Sequence, residues 1–403
     1  MTARLVRRVG VEALTRQDPD KRSLFRALQQ LVHHTDKASP VRLKQFLFAA
    51  NQICGLLVLP PAPADMATIV AKLGGPRFVA RLLAQIGCNA FTITDGDAEV
   101  LGVGLFLGAV SANHSCDPNC HQIFEGPYIR LRALRPIAPG EELTIGYIDI
   151  SNTRKLRQEA LLEGYGFECT CSRCSSLEEQ WRETQVVGWA CPRRGCLGAC
   201  VEEPQGAALF RAWRATRDGI VECNESRARV CTACGARLEV NEVHKRQADL
   251  EKAEHHRQEF DRLLAHRGSQ KADALRDALK EADKICDVYA RCLIPHISLC
   301  RYEFMTRLVE ECIQLQEFGL MIKYGVLSSA GLEAISPRHS PASAYLYANL
   351  GKALLYIHEP AQALTYLCKA MQKLEASHGQ DHHYMREVER LLMDAQHTTG
   401  RKK

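Results

Sequence analysis

The chain has 403 residues, of which 46% are hydrophobic and 25% are charged, and its formal net charge is +5. This composition is ordinary for a soluble globular protein, and the length suits two or three domains. The weak positive balance is spread along the chain, so direct nucleic acid binding is not expected. No apolar run approaches the roughly 20 residues that a membrane helix needs, so no membrane partner is expected.

Eighteen cysteines are a high count for a chain of this length. The N-terminus does not have the pattern of a secretory signal, because Arg4, Arg7 and Glu12 interrupt any apolar core. The cysteines therefore predict a reducing compartment, the cytoplasm or the nucleus. In such a compartment closely spaced thiols indicate metal binding rather than disulfides.

The N-terminal part of the chain, residues 1–87, has the apolar spacing of helices. The Pro-rich stretch 60–63 interrupts this pattern, and the last predicted helix, 64–85, has a weak point at 74–76. From 88 to 150 the pattern changes to short apolar runs around the turns Asp95-Gly96 and Gly126-Pro127, which predict two hairpins. This segment is predicted to be a small β domain, and a short helix is expected over 151–166.

The chain from 241 to 403 is predicted to be helical, with segments near 242–267, 271–293, 297–321, 341–357, 361–377 and 380–397. One stretch has the spacing of a tetratricopeptide helix pair, carried by Tyr347, Leu350, Gly351, Leu354, Ala363, Leu367 and Ala370. The proline that usually follows is replaced by Glu375, and plain helix packing is the alternative. Both readings predict a helical stack, which could bind peptide partners.

One group of cysteines has the close spacing of zinc ligands. Cys169, Cys171 and Cys174 supply three thiols within six residues. Zinc takes four ligands in a tetrahedron, and Cys116 is the candidate for the fourth. The alternative is that these cysteines are simply reduced and buried.

A second group resembles a zinc ribbon, because two cysteine pairs lie about 35 residues apart, each close to glycine. Its members are Cys191, Cys196, Cys231 and Cys234. Cys200 and Cys223 lie between the pairs and leave the choice of ligands open. A nucleic-acid-binding ribbon would add a basic face, for which the candidates are Arg211, Arg214, Arg217, Arg227, Arg229 and Arg237. Acidic residues interleave with them, so this reading ranks last.

Five motifs carry a resemblance to a known family. In chain order they are CNAF at 88–91, GVGL at 102–105, NHSCDPNC at 113–120, GEELTIGY at 140–147 and YGFECTCSRC at 165–174. With these motifs the chain resembles the SET and MYND domain-containing (SMYD) family of protein lysine methyltransferases, over nearly its whole length. In that family the third and fourth motifs cross each other beside the S-adenosylmethionine pocket.

The resemblance implies a role for individual residues. The residues implied to contact the cofactor are Asn89, Asn113, His114 and Phe167. The residues implied to line the lysine channel are Phe91, Tyr147 and Tyr165, and Tyr147 would be the catalytic residue, with its hydroxyl at the channel mouth. The cysteines that match the family's post-SET zinc ligands are Cys116, Cys169, Cys171 and Cys174.

The chemistry of methyl transfer suits these residue types. The methyl group moves from a sulfonium to an amine in an in-line displacement, which needs a neutral amine, whereas the pKa of a free lysine is about 10.4. Removal from water in an aromatic channel lowers that pKa, and aromatic walls tolerate an alkylammonium product. The remaining contribution is alignment by a rigid channel.

Two family features are not found before residue 88. These are the first SET segment, with its Gly-x-Gly cofactor turn, and the MYND zinc finger. We therefore expect a chain that lacks part of the N-terminus of its family, as a fragment or a truncated product, and in which cofactor binding could be weakened or lost.

The sequence thus predicts an α+β protein with a SET-type β core, a helical insert, a zinc-binding post-SET region and a C-terminal TPR-like helical stack. The expected domains are a helical insert over 1–87, a SET core over 88–150, a zinc region with a second, ribbon-like module over 151–240, and the helical stack over 241–403. The expected function is S-adenosylmethionine-dependent methylation of histone or other protein lysines, by a monomer. The alternative is a non-catalytic SET scaffold that acts as a protein-interaction module.

Overall fold

The computed structural model describes residues 30–36, 39–58, 68, 70–71, 74–95, 100–202, 229–265, 271–293, 298–337 and 340–401. Two compact units divide these residues. The first contains the described residues up to 132, together with 137–148 and 158–169, and the second contains 133–136, 149–157 and the described residues from 170 onward. Within the described ranges, no helix is long and apolar enough to cross a membrane.

The first unit begins with two helices, α1 (Pro40–Val58) and α2 (Gly75–Asn89), which pack against each other. Helix α2 starts after Gly74, whose φ of +102° suits glycine, and it has a proline in its first turn. Proline is tolerated there because the first N–H groups of a helix have no partner inside it. The predicted weak point at 74–76 is therefore the start of a helix. The helical expectation for residues 1–29 lies outside the described part of the chain.

Six short strands follow. They are β1 (Ala90–Thr94), β2 (Val100–Leu105), β3 (Asn113–His114), β4 (Cys120–Glu125), β5 (Tyr128–Ala133) and β6 (Thr144–Ile145). They form three two-stranded sheets, β1 with β2, β4 with β5, and β3 with β6. Both predicted hairpins are present, although residues 96–99 of the first turn are outside the described residues. In the second turn Gly126 has a φ of +57°, which glycine adopts without steric cost.

The sheet that matters most for the site is the parallel pair β3–β6. Asn113 lies opposite Thr144, and His114 lies opposite Ile145. The backbone N–H of Ser115 continues the pairing by donating to the Ile145 carbonyl at 3.0 Å. The NHSCDPNC and GEELTIGY motifs, whose first residues are 27 positions apart in the sequence, are therefore side by side in the fold.

After α3 (Arg154–Tyr165), which matches the short helix expected over 151–166, the second unit adds α4 (Ser172–Ser175) and α5 (Leu177–Val186). A four-stranded sheet follows, made of β7 (Trp189–Ala190), β8 (Ala199–Glu202), β9 (Arg229–Cys231) and β10 (Arg237–Leu238). Its strand order is β10-β9-β8-β7, with each neighbouring pair antiparallel. This small sheet carries the second group of cysteines.

In the described part of the chain after residue 239, seven helices complete the second unit. They are α6 (Val240–Ala265), α7 (Lys271–Cys292), α8 (Leu299–Gln314), α9 (Phe318–Ile335), α10 (Ala342–Tyr356), α11 (Pro360–Ser377) and α12 (His383–Arg401). Consecutive helices pack in pairs, α6 on α7, α8 on α9 and α10 on α11, and α12 packs on α11. Their apolar faces share one core.

The tetratricopeptide-like spacing describes a real helix pair, because all seven residues that carry it are buried in α10 and α11. Gly351 is the contact point between the two helices. A Cβ atom added there would lie 2.5 Å from two carbon atoms of Leu367, so only glycine allows this approach.

The predicted helix over 297–321 is wrong. The structure has two helices in this region, and the second, α9, continues to Ile335. Gln316 separates them with a φ of +60°, and the N–H of Glu317 donates to the Cys312 carbonyl at 2.9 Å. This geometry ends a helix, but glycine usually provides it. Because the turn contains neither glycine nor proline, local sequence did not reveal it.

Candidate active site and cysteine clusters

The buried side chain of Asn119 connects the NHSCDPNC and GEELTIGY motifs by hydrogen bonds. Its side chain is 2% exposed and makes hydrogen bonds in both directions. The amide nitrogen donates to a carboxylate oxygen of Glu141 at 3.0 Å and to the Glu142 carbonyl at 2.8 Å, and the amide oxygen accepts from the Thr144 N–H at 2.8 Å. A buried amide with all of these partners fixes the register of the two segments.

Tyr147, the predicted catalytic residue, follows β6 and is held at three points. Its backbone N–H donates to Nδ1 of His114 at 3.0 Å, and its hydroxyl donates to the Ala112 carbonyl at 2.7 Å. Its own carbonyl accepts from the Tyr165 hydroxyl at 3.1 Å. The rings of Tyr147 and Tyr165 lie 4.9 Å apart between centroids. The position of this phenol is therefore determined by the surrounding protein.

A cavity of about 120 Å³ lies against this tyrosine pair. Four predicted site residues line it, Asn89, Phe91, Tyr147 and Tyr165. Among the described residues that line the cavity there is no carboxylate and no cationic side chain. The wall of the cavity is thus uncharged and includes three aromatic rings.

Both phenols remain protonated at neutral pH. Burial raises the pKa of Tyr147, and Tyr165 and Glu142 raise it further. Burial also raises the pKa of Tyr165, reinforced by the neighbouring Cys88 and opposed by Arg42. Because neither hydroxyl ionises, an amine that entered the cavity would meet neutral walls. Such an environment disfavours the ammonium form.

The remaining predicted cofactor residues group beside the cavity instead of lining it. Asn113 is exposed, and its amide nitrogen donates to Glu142 at 2.6 Å. The His114 ring lies 6.2 Å from the Phe167 ring. The amide of Asn89, which does line the cavity, donates to the Gln85 carbonyl at 2.7 Å. Amide groups and an aromatic face are a suitable donor set for the polar groups and the sulfonium of S-adenosylmethionine.

The first cysteine cluster consists of Cys116, Cys169, Cys171 and Cys174, as the sequence predicts. Their sulfur atoms all lie within 4.8 Å of one another, and those of Cys116 and Cys169 are 4.0 Å apart. Ligands at about 2.3 Å from a tetrahedral zinc ion would be about 3.8 Å apart, so these thiols fit that ion. Gln158 steadies the cluster by exchanging two hydrogen bonds of 2.7 Å with the backbone of Cys169.

The second cysteine cluster consists of Cys191, Cys196, Cys231 and Cys234. These sulfur atoms are also within 4.8 Å of one another, with Cys191 and Cys234 at 3.6 Å and Cys196 and Cys231 at 3.7 Å. Backbone N–H groups point at two of the sulfur atoms, from Arg193 and from Gly198, as in sites that hold thiolates.

The fold decides the position of two neighbouring residues of this ribbon, Cys200 and Arg229. Cys200 is fully buried in β8, opposite Cys231 of β9, and is not one of the four clustered thiols. Arg229, a candidate for a basic face, is only 4% exposed and its guanidinium lies 4.8 Å above the Trp189 ring. Cys223 and four of the arginines considered for that face lie outside the described residues.

Three residues of the site were not predicted from the sequence. Ala112 contributes a carbonyl to the Tyr147 hydroxyl, Asn119 clamps the two motifs, and Gln122 adds a polar group to the cavity wall. Only Asn119 had a sequence signal, since it is part of the NHSCDPNC motif. A backbone carbonyl carries no residue-specific signal, and the inward face of a strand becomes known only from the fold.

Comparison with known proteins agrees with the family resemblance carried by the sequence motifs. The SET domain profile matches residues 12–148. Histone-lysine N-methyltransferase SMYD3 of Mus musculus is 43% identical over 112 residues, which cover 25% of this chain and 26% of that protein. Histone-lysine N-methyltransferase ASHR1 of Arabidopsis thaliana is 25% identical over 375 residues, 92% of this chain and 69% of that protein.

A third relative extends the match beyond the SET region. N-lysine methyltransferase SMYD2 of Mus musculus is 24% identical over 311 residues, which cover 77% of this chain and 59% of that protein. The paired motif strands, the cysteine clusters and the SET match define the chain as a SET-domain protein. The similarity to SMYD3 and SMYD2 supports the resemblance to the SMYD family that is seen in its motifs. The SET-type α+β fold class is confirmed.

Proposed function

We propose that this chain transfers a methyl group from S-adenosylmethionine to the side-chain amine of a lysine in a protein substrate. The cavity beside Tyr147 carries this proposal, because its wall has no charged side chain and includes the rings of Phe91, Tyr147 and Tyr165. An aliphatic chain that ends in an amine suits such a cavity. The names of the relatives, all lysine methyltransferases, support the same reaction.

The residues of the chain would prepare the amine and align it. Neutral walls disfavour the ammonium form, so the pKa of an entering lysine falls and more of it is the neutral nucleophile. The faces of Phe91, Tyr147 and Tyr165 attract the cationic product without forming bonds that would retain it. The three hydrogen bonds that hold Tyr147 keep the channel wall rigid, which favours an in-line approach.

The cofactor would be held by Asn89, Asn113, His114 and Phe167. When bound, it supplies the sulfonium methyl group that the amine attacks. Zinc held by the two cysteine clusters would have a structural role, since each cluster offers four thiols and would leave no open position for a substrate.

Radiolabel transfer from S-adenosylmethionine to a mixture of histones and other lysine-bearing proteins tests the proposal. We expect label in at least one protein substrate, and about a tenfold or greater loss of rate in Tyr147→Phe, because the hydroxyl no longer holds the Ala112 carbonyl. Tyr128→Phe is the matched control, since Tyr128 is 71% exposed on β5. Absence of transfer by the folded wild-type chain, or equal rates for both variants, would contradict the proposal.

A second candidate function is a non-catalytic interaction module. One observation favours it: the amide of Asn113 and both ring nitrogens of His114 already have partners within the chain. Titration calorimetry with S-adenosylmethionine separates the two functions. Binding by the folded protein supports the enzyme, and a folded protein that does not bind the cofactor supports the module.

We further propose that the helical stack α6–α12 binds peptide segments and that the chain is a monomer. We also propose that the chain does not bind nucleic acid directly and that it is found in the cytoplasm or the nucleus. The close spacing of its cysteine pairs, which is typical of metal ligands in a reducing compartment, supports this location. Sedimentation velocity checks the monomer, and fractionation of cells checks the location.

A further inference from the structure

We infer that the His114 side chain is a positioning residue that links the first cysteine cluster to Tyr147, with its proton on Nε2. Its effect on rate rests on the proposed methyl transfer, whereas the link itself does not. This role is additional to the cofactor contact proposed for His114.

The protonation of the ring follows from its two neighbours. A backbone N–H can only donate, so the 3.0 Å contact between the Tyr147 N–H and Nδ1 requires a lone pair on Nδ1. In a neutral imidazole the proton must then be on Nε2. Nε2 lies 3.3 Å from the sulfur of Cys116, which is within hydrogen-bond range for sulfur.

The sulfur atom of Cys116 is a suitable acceptor for a hydrogen bond from this Nε2–H group. Cys116 is fully buried, and as a zinc ligand it would be a thiolate, which can only accept hydrogen bonds. An Nε2–H donor beside it satisfies part of its charge, in the way that a second layer of hydrogen bonds orients metal ligands. The chain of contacts therefore runs from the cluster through Cys116 and the imidazole to the backbone of Tyr147.

Through this link, residues in and next to strand β3 fix the position of Tyr147. The Ala112 carbonyl, two residues before His114, takes the Tyr147 hydroxyl, while the His114 ring takes its N–H. The segment 112–116 thus binds both the hydroxyl and the backbone N–H of Tyr147. The first cysteine cluster anchors this segment through Cys116. Displacement of the ring would let the tyrosine backbone move, because its N–H would lose this acceptor.

Two substitutions separate the two halves of the link. His114→Asn places an amide oxygen close to the position of Nδ1 and removes the donor to sulfur. His114→Gln places an amide N–H close to the position of Nε2 and removes the acceptor for the Tyr147 N–H. Each variant is thus the control for the other, and a general folding defect would affect both variants alike.

The first measurement does not depend on activity. Nitrogen–proton NMR of histidine-labelled protein loaded with zinc identifies the His114 tautomer by the signal that His114→Asn lacks. We expect the Nε2–H form. The Nδ1–H form, or a doubly protonated ring at pH 8, would overturn the inference.

The second measurement compares the variants. We expect zinc transfer to a chromophoric chelator to be about tenfold faster from His114→Asn and within about threefold of wild type for His114→Gln. We expect the opposite order for hydrogen exchange at the Tyr147 amide, with faster exchange in His114→Gln. Equal changes in the two variants, or the reversed order, would overturn the inference.

The third measurement joins the link to the proposed function. We expect kcat to fall about tenfold in His114→Gln, because the Tyr147 N–H loses its acceptor, with the KM for substrate little changed. If the wild-type chain shows no methyl transfer, the proposed function fails, while the tautomer, the zinc transfer and the amide exchange still decide the inference.

Discussion

Removal of the negative charge of Glu183 should strongly destabilise the second unit. The Glu183 carboxylate accepts from the Arg157 guanidinium at 2.8 Å and lies 3.7 Å from that of Arg173. Their side chains are 7%, 0% and 3% exposed, so all three charges are out of water. The backbone N–H of Arg154 donates to the second carboxylate oxygen. Glu183 is therefore shared by two buried guanidinium groups, of which that of Arg173 also lies 3.7 Å from the Glu179 carboxylate.

The substitution Glu183→Gln keeps the size of the side chain and removes its charge. Breaking a buried ion pair by removing one partner costs about 3–5 kcal/mol, because the other charge is left without compensation. We expect a loss of unfolding free energy in this range. Since a typical domain has only about 5–15 kcal/mol of stability, this loss would lower the urea midpoint markedly.

Tryptophan fluorescence during urea titration measures this loss in the second unit. The three tryptophans of the chain, Trp181, Trp189 and Trp213, all lie after residue 170, so their emission reports that unit. Glu259→Gln is the control, because its partner Arg262 is 59% exposed and the pair is on the surface, where no measurable change is expected.

A double variant tests whether the uncompensated charge of Arg157 causes the loss of unfolding free energy. In Glu183→Leu combined with Arg157→Met the buried pair is replaced by apolar side chains, so we expect it to be more stable than Glu183→Leu alone. A loss below about 1 kcal/mol in Glu183→Gln, or a double variant no better than the single one, would refute the reasoning.

Three further outcomes are expected. Gly351→Ala should lose about 1–2 kcal/mol by overpacking the contact between α10 and α11, whereas Gly319→Ala, with nothing within 4 Å, should be neutral or stabilising in the same titration. Cys231→Ser should lose one zinc ion per chain by mass spectrometry, whereas Cys200→Ser should keep both, and equal loss would contradict the assignment of ligands. Burial lowers the pKa of His121 to about 4, so below about pH 6.5 only the unfolded chain gains a proton there, and stability falls as pH drops to about 4. This dependence, up to about 3 kcal/mol, should be absent in His121→Gln, measured as the difference between unfolding free energies at pH 7 and pH 4.5.

Much of this fold was predictable because its signals are local. The turn at Gly126-Pro127, the spacing of Cys169, Cys171 and Cys174, and the periodicity of the later helices each depend on a few neighbouring residues. The family resemblance likewise rests on short motifs. The division into four domains and the roles of the individual site residues stay predictions.

Some features have no local signal. The helix break at Gln316 contains no glycine or proline, so its left-handed conformation is stabilised by packing of the helices on either side and not by its residue type. The exact role of the Ala112 carbonyl could not be foreseen either, because every residue has a carbonyl.

The sequence by itself determined which side chains are available to this site, namely two phenols, several amides, one imidazole and one set of four thiols. Only the tertiary structure decided which of these side chains contact one another. Pairing of β3 with β6 brings Tyr147 to His114 across 33 residues of chain, and turns a predicted cofactor residue into the neighbour of a cysteine ligand. Contacts between residues so distant in sequence depend on the packing of the whole unit, which no local pattern of residues encodes.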